Sequence, residues 1–299
     1  MTVTRGEIRN LFKGLAFLSP WLVGFAAFTF LPIVLSLYYS LSDYNLLQRP
    51  VFIGTENYHG LLDDGVFWRS LRVTLLYAAI SVPMGLLVSL GVALLLNVRL
   101  RAQPIFRTLI FLPSLVPTIA SAILWKWMFN QRLGIINRVL GPLLGWLHQP
   151  APPWLDQSKW VVPSLALMSV WSVGNTVIIY LAGLQDVPRE LYEAAELDGA
   201  NPFQRLLNVT LPMISPVIFF NLIMAIIGIL QVFDTPFMMT EGGPNRASYF
   251  YTYYLYDNAF TYLKMGYASA MAWIQLLLVL ALTGIAFWSS KRWVHYQGK

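Results

Sequence analysis

Residues 193–216, EAAELDGANPFQRLLNVTLPMISP, form the most hydrophilic long segment of a 299-residue chain that is otherwise largely apolar. Their reading decides the fold: a charged, helix-forming insert between two apolar runs lies outside a membrane that the runs themselves cross. Hydrophobic residues make up 57% of the chain and charged residues 11%, and mean hydropathy is +0.59, which excludes an ordinary soluble domain. The net charge of +6 comes from 20 Lys and Arg scattered through loops and tails, with no basic aromatic stripe, so nucleic acid is not an expected partner. Cysteine is absent, which rules out disulfides and thiolate metal sites.

Windows long enough to cross a hydrocarbon core of ~30 Å and free of Asp, Glu, Lys and Arg number six, at about 14–41, 73–96, 108–125, 160–184, 213–233 and 265–290. The expected fold is an all-α membrane protein with six transmembrane helices in a single domain, residues 1–299, kinked at the prolines several windows contain. The basic N-terminus precedes an apolar run too long for a signal peptide and reads as a retained first span. Arg5, Arg9 and Lys13, the loop 97–107 with Arg99, Arg101 and Arg107, and Lys291, Arg292 and Lys299 all fall on one side of a six-span topology. The bias of Lys and Arg towards the cytoplasm therefore places both termini, and residues 193–216, in the cytoplasm. Eight further basic residues, among them Arg69, Arg72 and Lys159, fall on the opposite side in long loops, where the rule is weak. On that side Ile136, Val139, Leu140, Leu143 and Leu144 share a helical face ahead of a proline- and tryptophan-rich link, the pattern of an interfacial helix.

Within the insert, Asp186 suits a helix cap, Pro188 a first turn and Glu190 the positive N-terminal end. Gly199 suits the position just past a helix end. Asn201 and Pro202 repeat the start signal, and Leu211–Pro212 ends the second helix where the fifth span begins. The expectation is two short cytoplasmic helices, about 186–212, with a glycine hinge. Lipid-surface helices carry Lys and Arg on the polar face, whereas this segment has Asp186, Glu190, Glu193, Glu196 and Asp198 against Arg189 and Arg205, which suits a groove on a protein.

The segment resembles the EAA loop of ABC importer permeases, with Glu193, Ala194, Ala195, Gly199, Leu211 and Pro212 at the motif positions and DGAN, containing Asp198, following the triplet. The stretches LIFLPSLVPTIA, GIINRVL, PPWLD and MMTEGGPNRAS are similar to sugar permeases of the maltose-transporter type, the larger of the two permease kinds. The extra N-terminal spans and large outer domain of the maltose permease have no counterpart here. The resemblance implies a subunit of a type I importer in a bacterial or archaeal cytoplasmic membrane, moving a sugar or oligosaccharide by alternating access. The loop would be the coupling helix, docking on one of two separate ATP-binding subunits that hold ATP and Mg. A second permease and an extracytoplasmic solute-binding protein would complete the assembly.

No GxxxxGK[ST] or GxSxG motif occurs in the chain, the spans hold no dense acid cluster, and His59, His148 and His295 lie far apart. No catalytic, cofactor or metal site is expected. Polar and aromatic residues within spans are the candidates for sugar contact. Asn221, Gly228 and Gln231 fall within an arc of about 80° at ~100° per residue, beside Met224. Trp171 and Asn175 sit one turn apart in span four, with Tyr180 further out, and Asp234 stands near the outer end of span five. Two alternatives remain: an importer of another solute such as glycerol phosphate, disfavoured because no Lys or Arg lies mid-span, and an ion-gradient-driven transporter, disfavoured because the spans hold almost no ionisable residue. Asp63–Asp64, the adjacent acid pair a membrane enzyme would use, reads as a solvated loop.

Overall fold

The computed structural model describes residues 5–98, 102–146, 148 and 150–295. Arg99, Arg101 and Lys299, counted above for orientation, lie outside the described residues. The described chain is almost wholly helical, with strand only at β1 (Ser42–Asp43) and β2 (Val51–Phe52), an antiparallel pair with Ser42 opposite Phe52.

Among the described residues, three helices are long and apolar enough to cross a membrane unbroken. The first covers residues 13–40, built from α1 (Arg5–Phe25), a π-turn (Ala26–Phe30) and α2 (Leu31–Ser40). The others are α4 (Gly65–Asn97) and α16 (Met265–Ser290), after the short α3 (Glu56–Asp63) near the start of α4. Three bent helix pairs are further candidates, and by length and composition up to six spans are reached among the described residues if each pair is counted once, the first half of the third pair lying within the charged insert. Residues 103–115, comprising α5 (Gln103–Phe111) and a 3-10 turn, meet α6 (Thr118–Met128) at 96°. Helices α8 (Ser158–Trp171) and α9 (Gly174–Gln185) meet at 53°, and residues 202–213 meet α13 (Ser215–Leu230) at 66°.

Each bend has a local cause. Before Pro117, Val116 is forced out of the helical region to ψ 128°, so the window expected as one span at 108–125 is broken in the middle. At the second bend Ser169 and Ser172 turn their hydroxyls onto the carbonyls of Ala166 and Ser169, at 2.7 and 3.3 Å, competing with the backbone ladder. Gly174 then allows α9 to pass close to α5, since a Cβ there would stand 2.7 Å from the Ile110 carbonyl oxygen. At the third, Pro216 has no N–H for the Pro212 carbonyl, which instead accepts from Ser215 Oγ at 2.6 Å.

The chain divides into two compact units. One holds the described residues up to 64 with 255–274. There Asn57 ties down the end of α2 by donating to the Ser40 and Ser42 carbonyls, both at 3.0 Å, and Trp273 Nε1 donates to Ser36 Oγ at 3.2 Å. The other holds residues 65–254 with those from 275 onward, including α7 (Ile135–Trp146), α14 (Asp234–Thr240) and most of α15 (Tyr251–Tyr256). On α7, Val139 and Leu143 are exposed while Asn137 on the opposite side is buried and accepts from Trp154 Nε1 at 2.8 Å. Two apolar cores lie in this unit. One gathers Tyr77, Trp125, Phe129, Trp154, Leu165 and Phe250; the other gathers Ala93, Leu96, Val177, Tyr180, Leu184 and Ile214.

Candidate functional site

Two places in the larger unit concentrate polar and exposed apolar groups. The first is the charged insert. Helix α10 (Arg189–Leu197) begins two residues later than the sequence suggests: Asp186 is the last residue bonded to α9, its N–H donating to the Ala182 carbonyl at 3.2 Å, and Pro188 is the N-cap rather than a first-turn residue. Asp186 therefore caps no helix start. The end of α10 follows expectation. Gly199 takes the left-handed conformation at φ +76° that a side chain resists, and the Ala200 N–H returns to the Ala195 carbonyl at 2.9 Å.

Helix α11 (Pro202–Arg205) opens with a reciprocal capping box: Asn201 Oδ1 accepts from the Gln204 N–H at 2.9 Å, and Gln204 Oε1 accepts from the Asn201 N–H at 2.8 Å. It does not stop at Leu211–Pro212. A π-turn (Leu206–Thr210) carries it into α12 (Leu211–Met213), where Pro212 sits in a first turn and needs no N–H partner. An Arg205–Glu196 ion pair and a Tyr192–Thr210 hydroxyl contact of 3.0 Å clamp the two helices together. Glu193, Ala194, Asp198 and Gly199 are exposed, while Ala195, Leu211 and Pro212 are half-buried. Sequence reasoning missed two residues: Leu197 is 90% exposed and Phe203 66%, apolar side chains presented on an otherwise charged surface. The base of the segment is fixed, with Tyr192, Leu211 and Met213 packed on the second apolar core.

The second place is a cavity of about 280 Å³ where the helices break. Val116 and Thr118 flank the bend of the third span, Trp171 and Ser172 that of the fourth, and Val232 and Thr235 the point where the fifth leaves α13 for α14. Tyr77, Ser121 and Ser169 add three more hydroxyl side chains, and no lining residue is charged. Non-helical backbone at membrane depth is tolerated where it lines such a space, because its free polar groups then have somewhere to bond. Trp171 stands edge-on to Trp125 at 5.8 Å, and the buried Trp125 Nε1 has no hydrogen-bond partner among the described residues.

Of the six residues proposed from the sequence for sugar contact, Trp171 alone lines this cavity. Asn175 falls beyond the bend at 172–173, which breaks the one-turn register with Trp171, and is exposed on α9. Asn221 is buried near the Tyr180 hydroxyl, and neither its Nδ2 nor that hydroxyl has a hydrogen-bond partner of regular geometry among the described residues. Gly228, Gln231 and Asp234 are exposed, and at that end of span five Ile229 and Val232 face the cavity instead. The hydroxyl residues were missed, although LVPT, SVWSVG and FDTP each pair a hydroxyl with a Gly or Pro. Outside the spans, burial raises the pKa of the Tyr251 phenol and keeps it neutral.

Gln275 supports the mouth of span five, donating to the Leu230 carbonyl at 2.8 Å and to Thr252 Oγ1 at 3.1 Å. That satisfies an acceptor left free by the end of α13. Its neighbour Trp273 bonds elsewhere, in line with the ~200° that separates the two on a helical wheel.

Comparison with known proteins gives this geometry a setting. Residues 81–295 match the model of the family described as binding-protein-dependent transport system inner membrane component. The sn-glycerol-3-phosphate transport system permease protein UgpA of Pectobacterium atrosepticum is 34% identical over 99% of this chain and 100% of its own. The lactose transport system permease protein LacF of Rhizobium radiobacter is 32% identical over 97% of this chain and 98% of its own. In structure the chain superposes on a bacterial ABC transporter involved in the import of the acidic polysaccharide alginate with a TM-score of 0.82 at 23% identity, covering 96% of this chain and 98% of that one. With the family model and both relatives spanning most of its length, the chain belongs to the inner membrane components of binding-protein-dependent transport systems: it is a multi-pass ABC transporter permease, a transport subunit and not an enzyme.

Proposed function

We propose that the chain is one membrane half of an ATP-driven importer of a carbohydrate, lying in the cytoplasmic membrane with both termini and residues 186–212 on the cytoplasmic side. The observation that carries the substrate class is the cavity at the helix breaks. Six hydroxyl side chains and an indole face, with no charge among the lining residues, suit a neutral polyhydroxylated solute. A phosphate ester such as that named for UgpA would call for cations or helix N-termini in the lining, and the lactose permease LacF supports the sugar reading.

Energy enters through the charged insert. Leu197 and Phe203, exposed beside Glu193, Ala194, Asp198 and Gly199, suit insertion into a groove on an ATP-binding subunit, which would hold the ATP and Mg. Movement there passes to the second apolar core, where Tyr192, Leu211 and Met213 meet α9 and Ile214, and α9 leads about 18 Å from the insert to the bend at Ser172. ATP and solute each favour a different state of this assembly, which makes the motion directional. A second permease, two ATP-binding subunits and an extracytoplasmic binding protein complete it.

Affinity purification of the tagged chain from its native membrane in mild detergent tests the proposal. Co-purification of an ATPase and a binding protein carrying a carbohydrate supports it. A binding protein loaded with a phosphate ester removes the substrate assignment, and a chain recovered without an ATPase removes the coupling role.

A further inference from the structure

The larger unit carries a surface groove that shares no lining residue with the cavity at the helix breaks or with the charged insert. It holds about 670 Å³ along the start of α4 and the first turn of α8, with Arg69, Arg72 and Lys159 at one end and Val73, Leu76 and Ile80 leading away. A second groove of about 580 Å³ shares Trp68, Arg72 and Leu76 and continues along Leu75 and Ala79. Arg69, Arg72 and Lys159 are all exposed, and none has an acidic ion-pair partner among the described residues. Arg69 donates to the Asn245 carbonyl, and Lys159 sits 5.9 Å from the Trp160 ring centre, so two of the cations are held in place. The N-terminus of α8, capped by no side chain, adds its partial positive charge at Ser158.

We infer that this groove binds an anionic phospholipid, its phosphate among Arg69, Arg72 and Lys159 and its acyl chains along Leu76 and Ile80. The dimensions agree. From Arg69 to Ile80 the helix rises about 16 Å at ~1.5 Å per residue, close to half of a ~30 Å hydrocarbon core, the depth of one leaflet. Trp68 stands at the boundary, where tryptophan prefers the headgroup level. Charge gives the second reason. On the proposed topology these cations are extracytoplasmic, against the usual bias of Lys and Arg, and a bound lipid phosphate compensates them.

The test uses the full chain with its partner subunits, reconstituted in nanodiscs containing equal amounts of phosphatidylglycerol and phosphatidylcholine with matched acyl chains. After exchange into neutral detergent, retained lipid is measured by mass spectrometry. Phosphatidylglycerol should be retained in preference, and R72Q/K159Q should lower its affinity about thirtyfold, about fivefold per cation. R72K/K159R, which keeps both charges, should retain it and shows that the site survives substitution. Equal retention of the two lipids, or retention unchanged in R72Q/K159Q, overturns the inference. Displacement of the lipid by millimolar inorganic phosphate assigns the cations to the free ion instead. Cross-linking of Leu76→Cys to a neighbouring protein chain assigns the groove to that chain.

Discussion

Leu197→Ala separates docking from folding. In the chain alone Leu197 is 90% exposed, so truncation removes almost no internal contact and stability should change by less than about 0.5 kcal/mol. If the same side chain enters an apolar groove on the ATP-binding subunit, its loss costs about 2 kcal/mol of transfer free energy. That is about a thirtyfold weaker association. The assay titrates purified ATP-binding subunit onto the chain and its permease partner in nanodiscs, with thermal unfolding of both forms measured in parallel. A thirtyfold loss of affinity at unchanged melting temperature is the expected result. Affinity within twofold of wild type would refute docking through Leu197, and an equal loss of affinity and stability would refute the reading of its exposure.

Three further substitutions probe the supports of the two sites. Asn201→Ala removes the capping box at α11 and should cost about 1 kcal/mol, seen as about fivefold faster hydrogen exchange at the Gln204 amide. Exchange unchanged would show that the cap does not hold the segment. Gly174→Val places a Cβ 2.7 Å from the Ile110 carbonyl oxygen and should destabilise the bend by about 1–3 kcal/mol, with a lower melting temperature and reduced transport. Wild-type melting would show that α5 and α9 approach less closely than described. Gln275→Leu leaves the Leu230 carbonyl only the longer bond from Thr252 Oγ1 at 3.4 Å in place of Gln275 at 2.8 Å and should cost about 1 kcal/mol in thermal unfolding. No change would mean that another donor takes over.

The apolar windows were legible because hydropathy is summed over some twenty residues and local irregularity averages out. For the same reason the bends were not: Pro117 and Pro216 announced distortion but not angles of 96° and 66°. Asn201–Pro202 was readable as a helix start because cap, proline and Gln204 act within one turn, whereas Asp186 carried the same local signal and was overruled by continuation of α9. Helical-wheel arithmetic inside α13 puts Asn221, Met224 and Gly228 on one side, but of these Met224 and Gly228 are exposed while Asn221 is buried, since a wheel carries no information about what packs on each turn. Carried across the bend at 172–173 it failed for Asn175. The cavity was illegible as a set, since its hydroxyls come from separate helices and each alone resembles ordinary span polarity.

The most direct measurement is ATP-driven uptake of radiolabelled sugar, delivered by its binding protein, into proteoliposomes holding the complete transporter with wild-type or Trp171→Ala chain. Loss of the cavity's aromatic face should raise the sugar concentration for half-maximal uptake about tenfold, while the complex stays assembled and basal ATP hydrolysis is unchanged. Uptake with wild-type concentration dependence would contradict a solute site at the helix breaks.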